Sequence, residues 1–314
     1  MNYRSFGRTG LRISEVGFGA WAIGSTSYGT VDRKEALNAL ARAEELGCNF
    51  VDTASVYGDS ESILAEFTRG RRDRWLIATK YSNPQQGLTR TAEEQLRRLN
   101  IETIDFYQIH WAPSRRQRHL YEELYQLKKS GKARTVGVSL HTGGDIVEAL
   151  AQEVLDGLQL RISLLDPDPY LNALPSIRAR NIGIIARSCL KEGFLTGKYH
   201  RESAFPDNRD QRSAWSRERI ARIIEQVERF RFLEQENNSL LLSAARYPLS
   251  FQETSTVLMG TKSIPHADVN FGIVPNAPLS PLTLERILAT QHELHLIPSF
   301  FRIAVRALKR TLQL

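Results

Sequence analysis

The amino-acid sequence predicts a closed (β/α)₈ barrel of the TIM type, with an N-terminal β-hairpin before it and a C-terminal helical extension after it. Eight short apolar runs, several of them rich in β-branched residues, alternate with longer stretches of helical periodicity. Short continuous runs are typical of parallel strands that are buried on both faces. Eight such strands alternating with helices favour a closed barrel over a doubly wound open sheet. The chain of 314 residues is long enough for one barrel of roughly 250 residues and its extensions.

The predicted strands are short and lie between the helical stretches. They are residues 16–19, 50–52, 75–80, 104–110, 135–139, 157–163, 182–187 and 255–260. Ahead of them, residues 1–14 contain Gly7 and Gly10 at positions that suit turns. These glycines predict a small hairpin outside the barrel.

The helical stretches carry start and stop signals. Two starts resemble capping boxes, in which an acidic residue follows an Asp or a Thr by three positions: Asp32-Arg33-Lys34-Glu35 and Thr91-Ala92-Glu93-Glu94. The first of these helices is predicted to stop at Gly47, and a leucine stripe at Leu120, Leu124 and Leu127 predicts a helix that ends at Gly131. Further helices are predicted at residues 145–155, 174–180 and 217–238. A polar loop at residues 198–213 is predicted to cover a site.

The domain organisation predicted is one barrel at residues 1–275 and a helical tail at residues 276–314. The end of the tail, residues 298–314, places Arg302, Arg306, Lys309 and Arg310 among apolar residues. This pattern is typical of a basic amphipathic helix, which can lie on a membrane surface or dock a partner protein. Packing on the chain's own barrel or on a second subunit is the favoured interpretation. Both a monomer and a homo-oligomer stay open.

The composition argues against several classes of function. Hydrophobic residues make up 41% and charged residues 25% of the chain, which is typical of a globular domain. The formal net charge is +7, but the Lys and Arg residues lie beside Asp and Glu in helical stretches, with few aromatic residues between them. Such charges favour solvated helix faces over a nucleic-acid surface. The excess positive charge suits a phosphorylated cofactor better.

The sequence also leads us to expect a cytoplasmic protein without a metal site. Residues 1–10 lack the apolar core of a signal peptide, and no apolar run reaches the length of a membrane span. Cys48 and Cys189 lie in apolar runs and form no CxxC motif, as expected of reduced thiols. No HExxH, clustered Cys and His, or EF-hand spacing predicts a metal ligand set.

Seven of the predicted strands carry a polar residue at or near their carboxyl end, or run into a polar segment there. In a parallel barrel the carboxyl ends of the strands converge on one face, where barrel enzymes place their chemistry. Burial of polar side chains is costly unless they are paired or hydrogen-bonded. Packing alone therefore does not explain well why polar residues recur at the ends of so many strands. The residues are Asp52, Lys80, His110, Ser139, Gln159, Arg187 and the segment Gly260-Thr261-Lys262.

Beyond Asp52 the chain continues Thr53-Ala54-Ser55-Val56-Tyr57-Gly58, and here it resembles the aldo-keto reductase family. The resemblance extends from residue 1 to about residue 271. It includes Gly7-Arg8-Thr9-Gly10, Ala78-Thr79-Lys80 and Asp105-Phe106-Tyr107-Gln108-Ile109-His110. It implies the barrel fold and the reduction of an aldehyde or ketone by hydride transfer from NADPH, or the reverse oxidation of an alcohol or lactol. The family's catalytic tetrad falls on Asp52, Tyr57, Lys80 and His110.

The chemistry of carbonyl reduction explains why these residue types are needed. The developing alkoxide requires a proton, and a free tyrosine with a pKa of about 10 is a poor acid near neutral pH. A nearby Lys80 ammonium is expected to lower the pKa of Tyr57, and Asp52 to hold that ammonium in place. His110 is expected to orient the carbonyl and stabilise the oxyanion. Taken singly, Asp52 and Lys80 could be a structural ion pair, His110 a core histidine and Tyr57 surface packing.

The resemblance also implies a nicotinamide site at the ends of the next strands. Ser139 and Gln159 match the positions that bind the carboxamide, whereas the family's usual Asn after that Ser is Leu140 here. Arg187 stands where most relatives place an aromatic residue against the nicotinamide. A guanidinium plane can stack on a ring, and a surface Arg that ends a strand is the plainer alternative. The residues that match the loop along the pyrophosphate are Ser188, Leu190, Gly193 and Leu195.

After the last strand the resemblance implies the adenosine end of the cofactor site. Its residues are Gly260, Lys262, Ser263, His266 and Asn270. Lys262 would meet the 2′-phosphate and Ser263 could hydrogen-bond it, which favours NADPH over NADH. His266 replaces the family's usual Gln, and Val269 replaces the acidic residue before Asn270. No GxGxxG motif follows the first strand, so a Rossmann site is not predicted.

The resemblance also implies a substrate pocket lined by Trp21 and Trp111 beside Tyr57 and His110. Ordinary packing at the barrel rim is an equal alternative for the two tryptophans. Two further functions stay open: an NADPH-binding regulatory subunit with little turnover, resembling the potassium-channel β subunits of this superfamily, and a barrel lyase that uses Lys80 as a Schiff base. The expected partner of the enzyme is a small-molecule carbonyl compound.

Overall fold

Eight parallel strands close into a barrel within the part of the chain that the computed structural model describes, which is residues 1–24, 31–140, 143–237, 239–276 and 279–297. With the two strands of a hairpin before it, the strands are β1 (Tyr3–Ser5), β2 (Arg12–Ser14), β3 (Val16–Gly19), β4 (Phe50–Asp52), β5 (Leu76–Tyr81), β6 (Ile104–Ile109), β7 (Ala133–Leu140), β8 (Gly157–Arg161), β9 (Gly183–Arg187) and β10 (Thr254–Gly260). The barrel strands follow one another in chain order, and β10 pairs with β3 to close the ring.

The predicted fold class is confirmed. Every predicted barrel strand is present, and its ends shift by two residues at most. The hairpin is present too, since β1 and β2 pair in antiparallel register from Tyr3 opposite Ser14 to Ser5 opposite Arg12. Uninterrupted apolar runs bounded by turn residues were therefore a sufficient signal for the parallel strands.

The helices lie outside the strands. They are α1 (Trp21–Gly24), α2 (Arg33–Glu45), α3 (Ser60–Phe67), α4 (Leu88–Leu99), α5 (His119–Lys129), α6 (Gly143–Leu150), α7 (Asp168–Arg180), α8 (Arg217–Glu228), α9 (Phe232–Asn237), α10 (Leu240–Leu249), α11 (Ile264–Ala267) and α12 (Pro281–Glu293). A π-helical turn at Asp268–Ile273 follows α11. Short 3₁₀ turns occur at Gly7–Thr9, Arg72–Arg74, Arg115–Gln117, Phe194–Thr196, Gln211–Ala214 and Val274–Asn276.

Two helix predictions are confirmed by their caps. The Asp32 carboxylate accepts hydrogen bonds from the backbone N–H groups of Lys34 and Glu35 at 2.8 and 3.4 Å, so it caps α2 as predicted. The chain then leaves the helix through Gly47, whose φ of +88° is accessible to glycine at little cost. Helix α5 likewise ends just before Gly131, with a φ of +77°.

Other predicted helix ends are wrong. Helix α4 begins at Leu88 rather than at Thr91, because the Thr91 hydroxyl donates backwards to the carbonyl of Gly87 at 3.0 Å and does not cap. Helix α6 stops at Leu150, and α7 begins already at Asp168 and contains Pro175. The single helix predicted at residues 217–238 is two helices, α8 and α9. The intervening backbone tightens to hydrogen bonds between residues three apart, and these turn Phe230 into the core.

The hairpin closes the N-terminal end of the barrel. Phe6 is buried and meets Phe106 edge to face, with ring centroids 4.9 Å apart. Arg4 donates to the backbone carbonyls of Leu249, Phe251 and Thr254, between 2.8 and 3.2 Å. Because the barrel strands begin here, the phenylalanine fills the bottom of the barrel and leaves its C-terminal face as the open end.

The fit of Phe6 depends on glycines at the start of neighbouring strands. A Cβ atom at position 157 would lie 2.2 Å from Phe6 Cζ. We expect Gly157→Ala to lower the free energy of unfolding by about 1–3 kcal/mol through overpacking, measured by urea denaturation. Because leucine lacks the ring atom that clashes, Phe6→Leu should make the same Gly157 change less costly. Gly272→Ala is the control, since its nearest neighbour atom would lie 3.7 Å away. An equal loss in both glycine variants would contradict this account.

The described part of the predicted tail packs on the barrel. In α12, Leu284, Ile287 and Leu288 are buried, and the Gln291 amide donates to the carbonyl of Leu164 at 2.9 Å. Residues 298–314, which carry the predicted basic helix, lie outside the described residues. The domain boundary at residue 275 stays a prediction. Among the described residues, no helix is both long and apolar enough to cross a membrane.

Both cysteines are buried and free of a disulfide. Burial raises the pKa of each thiol to about 12, because the thiolate would lose its hydration. Neither cysteine is therefore suited to act as a nucleophile at neutral pH. Within the described ranges, no group of three or more His, Cys, Asp and Glu residues could hold a metal ion.

Candidate active site

A buried ion pair lies at the centre of the open end of the barrel. Lys80, from β5, is fully buried, and Asp52, at the end of β4, is 3% exposed. The Lys80 ammonium donates to Asp52 Oδ2 at 2.5 Å and to the carbonyl of Thr53 at 2.8 Å. A charge in such a position is stable only when it is paired and hydrogen-bonded, so each partner fixes the other.

Two amide side chains satisfy the other oxygen of Asp52. Gln108, from β6, and Gln159, from β8, donate to Oδ1 at 3.0 and 2.8 Å. With Lys80 on Oδ2, the carboxylate accepts three side-chain hydrogen bonds from three different strands. These bonds fix the orientation of the carboxylate. Gln108 was not among the predicted site residues, although its place near the end of an apolar strand was a usable signal.

Tyr57 lies above the lysine in the loop after β4. The Lys80 ammonium is 4.9 Å from the centre of the tyrosine ring, and the Trp21 ring stacks on the tyrosine with ring centroids 6.0 Å apart. Two glycines allow the loop to approach the turn that follows β3. A Cβ atom on Gly24 would lie 1.9 Å from the Tyr57 carbonyl oxygen, and Gly58 adopts a φ of +53°. The backbone thus fixes the height of the tyrosine above the ion pair.

His110 completes the group of four predicted catalytic residues. Its Nε2 lies 3.4 Å from the Tyr57 hydroxyl, and its Nδ1 lies 2.8 Å from the Ser82 hydroxyl. The two ring nitrogens therefore face different partners. The Ser82 hydroxyl can donate to Nδ1 and so select the tautomer that carries its proton on Nε2, the nitrogen facing Tyr57. Sequence reasoning missed Ser82, which follows the conspicuous Lys80 by two positions.

A buried polar network behind β5 supports the lysine. The Glu61 carboxylate accepts from the Thr79 hydroxyl at 2.8 Å and from the Gln95 amide at 2.7 Å, and Arg98 pairs with it at 2.7 Å. Gln95 also donates to the backbone carbonyl of Lys80 at 3.1 Å. Helices α3 and α4 thereby hold the strand segment that carries the ammonium. Sequence reasoning missed this network, because no motif connects its members.

The predicted carboxamide-binding residues differ in their surroundings. The Ser139 hydroxyl is buried and has no hydrogen-bond partner among the described residues. Gln159, in contrast, already donates its amide to Asp52. A buried hydroxyl without a partner is costly, and it is the sort of group that a bound amide would satisfy. The residues present therefore fit a carboxamide at Ser139.

Arg187 ends β9 and reaches across the open end. Its Nη2 donates to the carbonyl of Leu140, at the end of β7, at 3.2 Å. Burial lowers the pKa of Arg187, as does Arg161 on the neighbouring strand. Tyr57, Asp52 and Glu192 act in the opposite direction. Arg187 is thus part of the charged rim around the tetrad rather than a solvent-exposed strand end.

The loop after β9 has an unusual backbone. Three consecutive residues are left-handed, with φ values of +48° at Lys191, +50° at Glu192 and +93° at Gly193, and Ser188 before them has a φ of +55°. Non-glycine residues adopt such angles only when the surroundings hold them. Leu190 and Leu195, also predicted to lie along the pyrophosphate, are joined by a hydrogen bond from Leu195 N–H to the Leu190 carbonyl at 3.0 Å.

Arg212, from the predicted polar loop, holds this backbone. Its guanidinium donates to the carbonyl of Glu192 at 2.9 Å and to the Tyr199 hydroxyl at 2.8 Å, and it pairs with Asp210 at 2.6 Å. The Phe205 ring lies 4.2 Å from the guanidinium carbon. The loop at residues 198–213 therefore packs beside the left-handed segment. Sequence reasoning missed Arg212, because its bond to the Glu192 carbonyl joins residues 20 positions apart in the chain.

Basic side chains gather beyond β10. Partial burial lowers the pKa of His266, and the nearby Lys262 and Lys198 ammonium groups lower it further. Ser263 caps α11. Asn270 turns inward and donates to the Thr261 hydroxyl at 2.9 Å and to the carbonyl of Gly260 at 3.4 Å. The structure thus brings the positive groups of Lys262 and Lys198 near His266, whereas Asn270 braces the strand end.

The two predicted pocket tryptophans occupy different surroundings. Trp21 stacks on Tyr57, whereas Trp111 packs on Tyr81 with ring centroids 5.1 Å apart and donates to Gln117 at 3.3 Å. The first therefore borders the tetrad directly. The contacts of Trp111 are those of packing at the rim.

Comparison with known proteins agrees with this arrangement. The sequence profile of the aldo/keto reductase family matches residues 15–290. The chain is 31% identical over 224 residues to the aldo-keto reductase YhdN of Bacillus subtilis, which covers 65% of this chain and 67% of that protein. It is 28% identical over 254 residues to the NADH-specific methylglyoxal reductase of Escherichia coli, covering 71% and 78% of the two chains.

Solved structures show the same fold. The glycerol dehydrogenase of Gluconobacter oxydans superposes with a TM-score of 0.78 at 25% identity, over 93% of this chain and 95% of that one. Since the family profile spans most of the chain and the barrel matches, the chain belongs to the aldo/keto reductase family, whose members are oxidoreductases that use nicotinamide cofactors and act on small-molecule carbonyl substrates.

Proposed function

We propose that this protein is an NADPH-dependent reductase of an aldehyde or ketone, which can also oxidise the corresponding alcohol or lactol. The observation that carries the proposal is the stack of Asp52, Lys80 and Tyr57, with His110 Nε2 3.4 Å from the tyrosine hydroxyl. A carbonyl oxygen that lies between that hydroxyl and the imidazole would meet a proton donor and a second hydrogen-bond donor. Such an arrangement suits a developing alkoxide.

In the proposed mechanism each residue has one role. Bound NADPH would supply the hydride to the carbonyl carbon. Tyr57 donates its proton to the carbonyl oxygen, and the buried Lys80 ammonium stabilises the phenolate that remains. Asp52 keeps the ammonium charged and in place, and His110 orients the substrate oxygen. In the cofactor site, Ser139 binds the carboxamide and the loop with Ser188, Leu190, Gly193 and Leu195 lies along the pyrophosphate.

The same geometry disfavours the Schiff-base alternative. A lysine that attacks a carbonyl must be neutral and accessible. Lys80 is fully buried and its ammonium donates to both Asp52 and the Thr53 carbonyl, so it is not accessible to a carbonyl compound. Borohydride treatment in the presence of aldehydes should therefore trap no adduct on Lys80.

The choice of NADPH over NADH rests on local charge. One relative is NADH-specific, so membership of the family does not decide between the two nucleotides. Lys262, with Lys198 also close to His266, forms a positive site after β10, which suits the additional 2′-phosphate of NADPH. Ser263 and Gly260 belong to the same segment.

The proposed 2′-phosphate contact predicts a selective loss of affinity. Lys262→Gln should weaken NADPH binding by about tenfold, which corresponds to about 1.4 kcal/mol, and leave NADH binding unchanged. Titration of nicotinamide fluorescence with each nucleotide measures both dissociation constants. Lys129→Gln, on the exposed end of α5, is the control for the loss of one positive charge. Equal weakening of both nucleotides by Lys262→Gln would contradict the assignment.

The decisive experiment for the function as a whole combines binding and turnover. Purified protein is titrated with NADPH and NADH, and the complex is then mixed with a panel of aldehydes and ketones while nicotinamide absorbance is followed. Binding with turnover supports the reductase. Binding without turnover across the panel favours the regulatory subunit, and failure to bind either nucleotide overturns the proposal.

A further inference from the structure

The guanidinium of Arg187 lies across the ends of three neighbouring strands. It starts from β9 and bonds to the Leu140 carbonyl on β7, with β8 between them. Ser139, the buried hydroxyl without a described partner, directly precedes Leu140 on β7. The positive group therefore borders the place where the proposed function requires the nicotinamide ring, on the side opposite β4 and β5.

The charges around this position leave an excess of positive charge. Arginine stays protonated in proteins, so partial burial places a full charge in a medium of reduced dielectric. Two carboxylates face this group, namely Asp52 and Glu192. Asp52 is already bound to Lys80, and Glu192 Oε1 lies 3.5 Å from Arg161. Three of these five charged groups are cations and two are anions; the cations are Arg187, Arg161 and Lys80, and the anions are Asp52 and Glu192.

Resting on the proposed function, we propose that Arg187 makes the cofactor site discriminate between the two oxidation states of the nicotinamide. The reduced ring is neutral and the oxidised ring is cationic. Carbonyl reduction removes a hydride from the neutral ring and passes it to the carbonyl carbon, while the Tyr57 proton goes to the oxygen. The charge of Arg187 thus opposes the cationic form, and the site binds NADPH more tightly than NADP⁺.

This discrimination has two consequences for the reaction. Oxidised cofactor leaves the site more readily, which favours the exchange that must follow each reduction. At the same time, the equilibrium between the bound complexes shifts towards carbonyl and NADPH, so that an alcohol reacts well with the bound oxidised cofactor. An aromatic residue at this position would stack on both ring forms without an added positive charge.

Equilibrium binding to charge variants of Arg187 tests the inference without reference to catalysis. Dissociation constants for NADPH and NADP⁺ are measured by calorimetry for the wild type, Arg187→Gln and Arg187→Lys. The ratio of the NADP⁺ constant to the NADPH constant should fall by about tenfold in Arg187→Gln, and it should be retained in Arg187→Lys. Arg178→Gln removes an arginine that pairs with Glu253, far from the tetrad, and should leave the ratio unchanged.

The outcomes separate charge from other roles. If Arg187→Gln weakens both nucleotides equally, the side chain acts only by stacking or packing and the inference is wrong. If that variant does not fold, Arg161→Gln takes its place, because it removes a charge from the same group of five and should lower the ratio by a smaller factor. An unchanged ratio in Arg161→Gln would then overturn the inference. If the wild type binds neither nucleotide, it is the proposed function that fails.

Discussion

Tyr57→Phe is expected to lower kcat for carbonyl reduction by about 10²- to 10⁴-fold, the usual contribution of a positioned general acid. The variant keeps the ring that stacks on Trp21 and lies over Lys80, and it loses only the hydroxyl that faces His110. NADPH affinity should therefore stay within about twofold of the wild type, because the hydroxyl serves only the reacting carbonyl. Steady-state kinetics, together with fluorescence titration of the cofactor, measures both quantities.

Tyr81→Phe is the matched control for this change. Tyr81 is also aromatic and lies on β5, next to Lys80, but its hydroxyl donates to the Gln86 carbonyl at 2.5 Å, away from the group of four. It should change kcat by no more than a few-fold. Comparable losses in the two variants would show that a general disturbance of the site, rather than proton donation by Tyr57, is being measured.

Asp52→Asn is expected to lower the free energy of unfolding by about 3–5 kcal/mol, because it leaves the Lys80 charge buried without its partner. With Gln108 and Gln159 in the amide orientations that the structure shows, no orientation of the new amide satisfies the site. Its oxygen can face either Lys80 or the two amides of Gln108 and Gln159, and its NH₂ group must then face donors on the other side. Urea denaturation followed by circular dichroism measures the loss.

Two further variants provide reference values for the stability lost in Asp52→Asn. Glu66→Gln breaks the exposed pair with Arg33, and its cost should be no more than about 1 kcal/mol. The double variant Asp52→Leu with Lys80→Met should be more stable than Asp52→Leu alone, since it leaves no unpaired ammonium. A double variant as unstable as the sum of its single changes would mean that the two residues contribute independently, contrary to the structure.

The barrel and the four central residues could be predicted from the sequence for different reasons. The strands are buried on both faces, so their apolar runs are uninterrupted and their ends are marked by turn residues. Asp52, Lys80 and His110 lie at strand ends, which parallel strands in a closed barrel bring together. The resemblance to the family added Tyr57 and the catalytic roles of all four residues. Helix ends were less accurate, as at Thr91, where one side chain can either cap a helix or bond backwards within it.

The supporting contacts could not be predicted in the same way. Ser82, Gln95 and Arg212 are ordinary polar residues, and each bonds to a residue 15 to 34 positions away in the chain. Their importance depends on distances that no local pattern contains. Gln159 illustrates the limit well, since its position at a strand end was recognised but its bond to Asp52 was not.

The hairpin that fills the bottom of the barrel also constrains the order in which the fold can be completed. Arg4 bonds to carbonyls at Leu249 and Thr254, which are 245 and 250 residues further along the chain. A ribosome therefore delivers residues 3–14 long before their partners exist, and β3 must likewise wait for β10. Until both arrive, Phe6 and the aromatic interior around Phe106 remain accessible to other chains, the condition under which large domains aggregate. Yield in a heterologous host should thus depend on how long the nascent chain is protected.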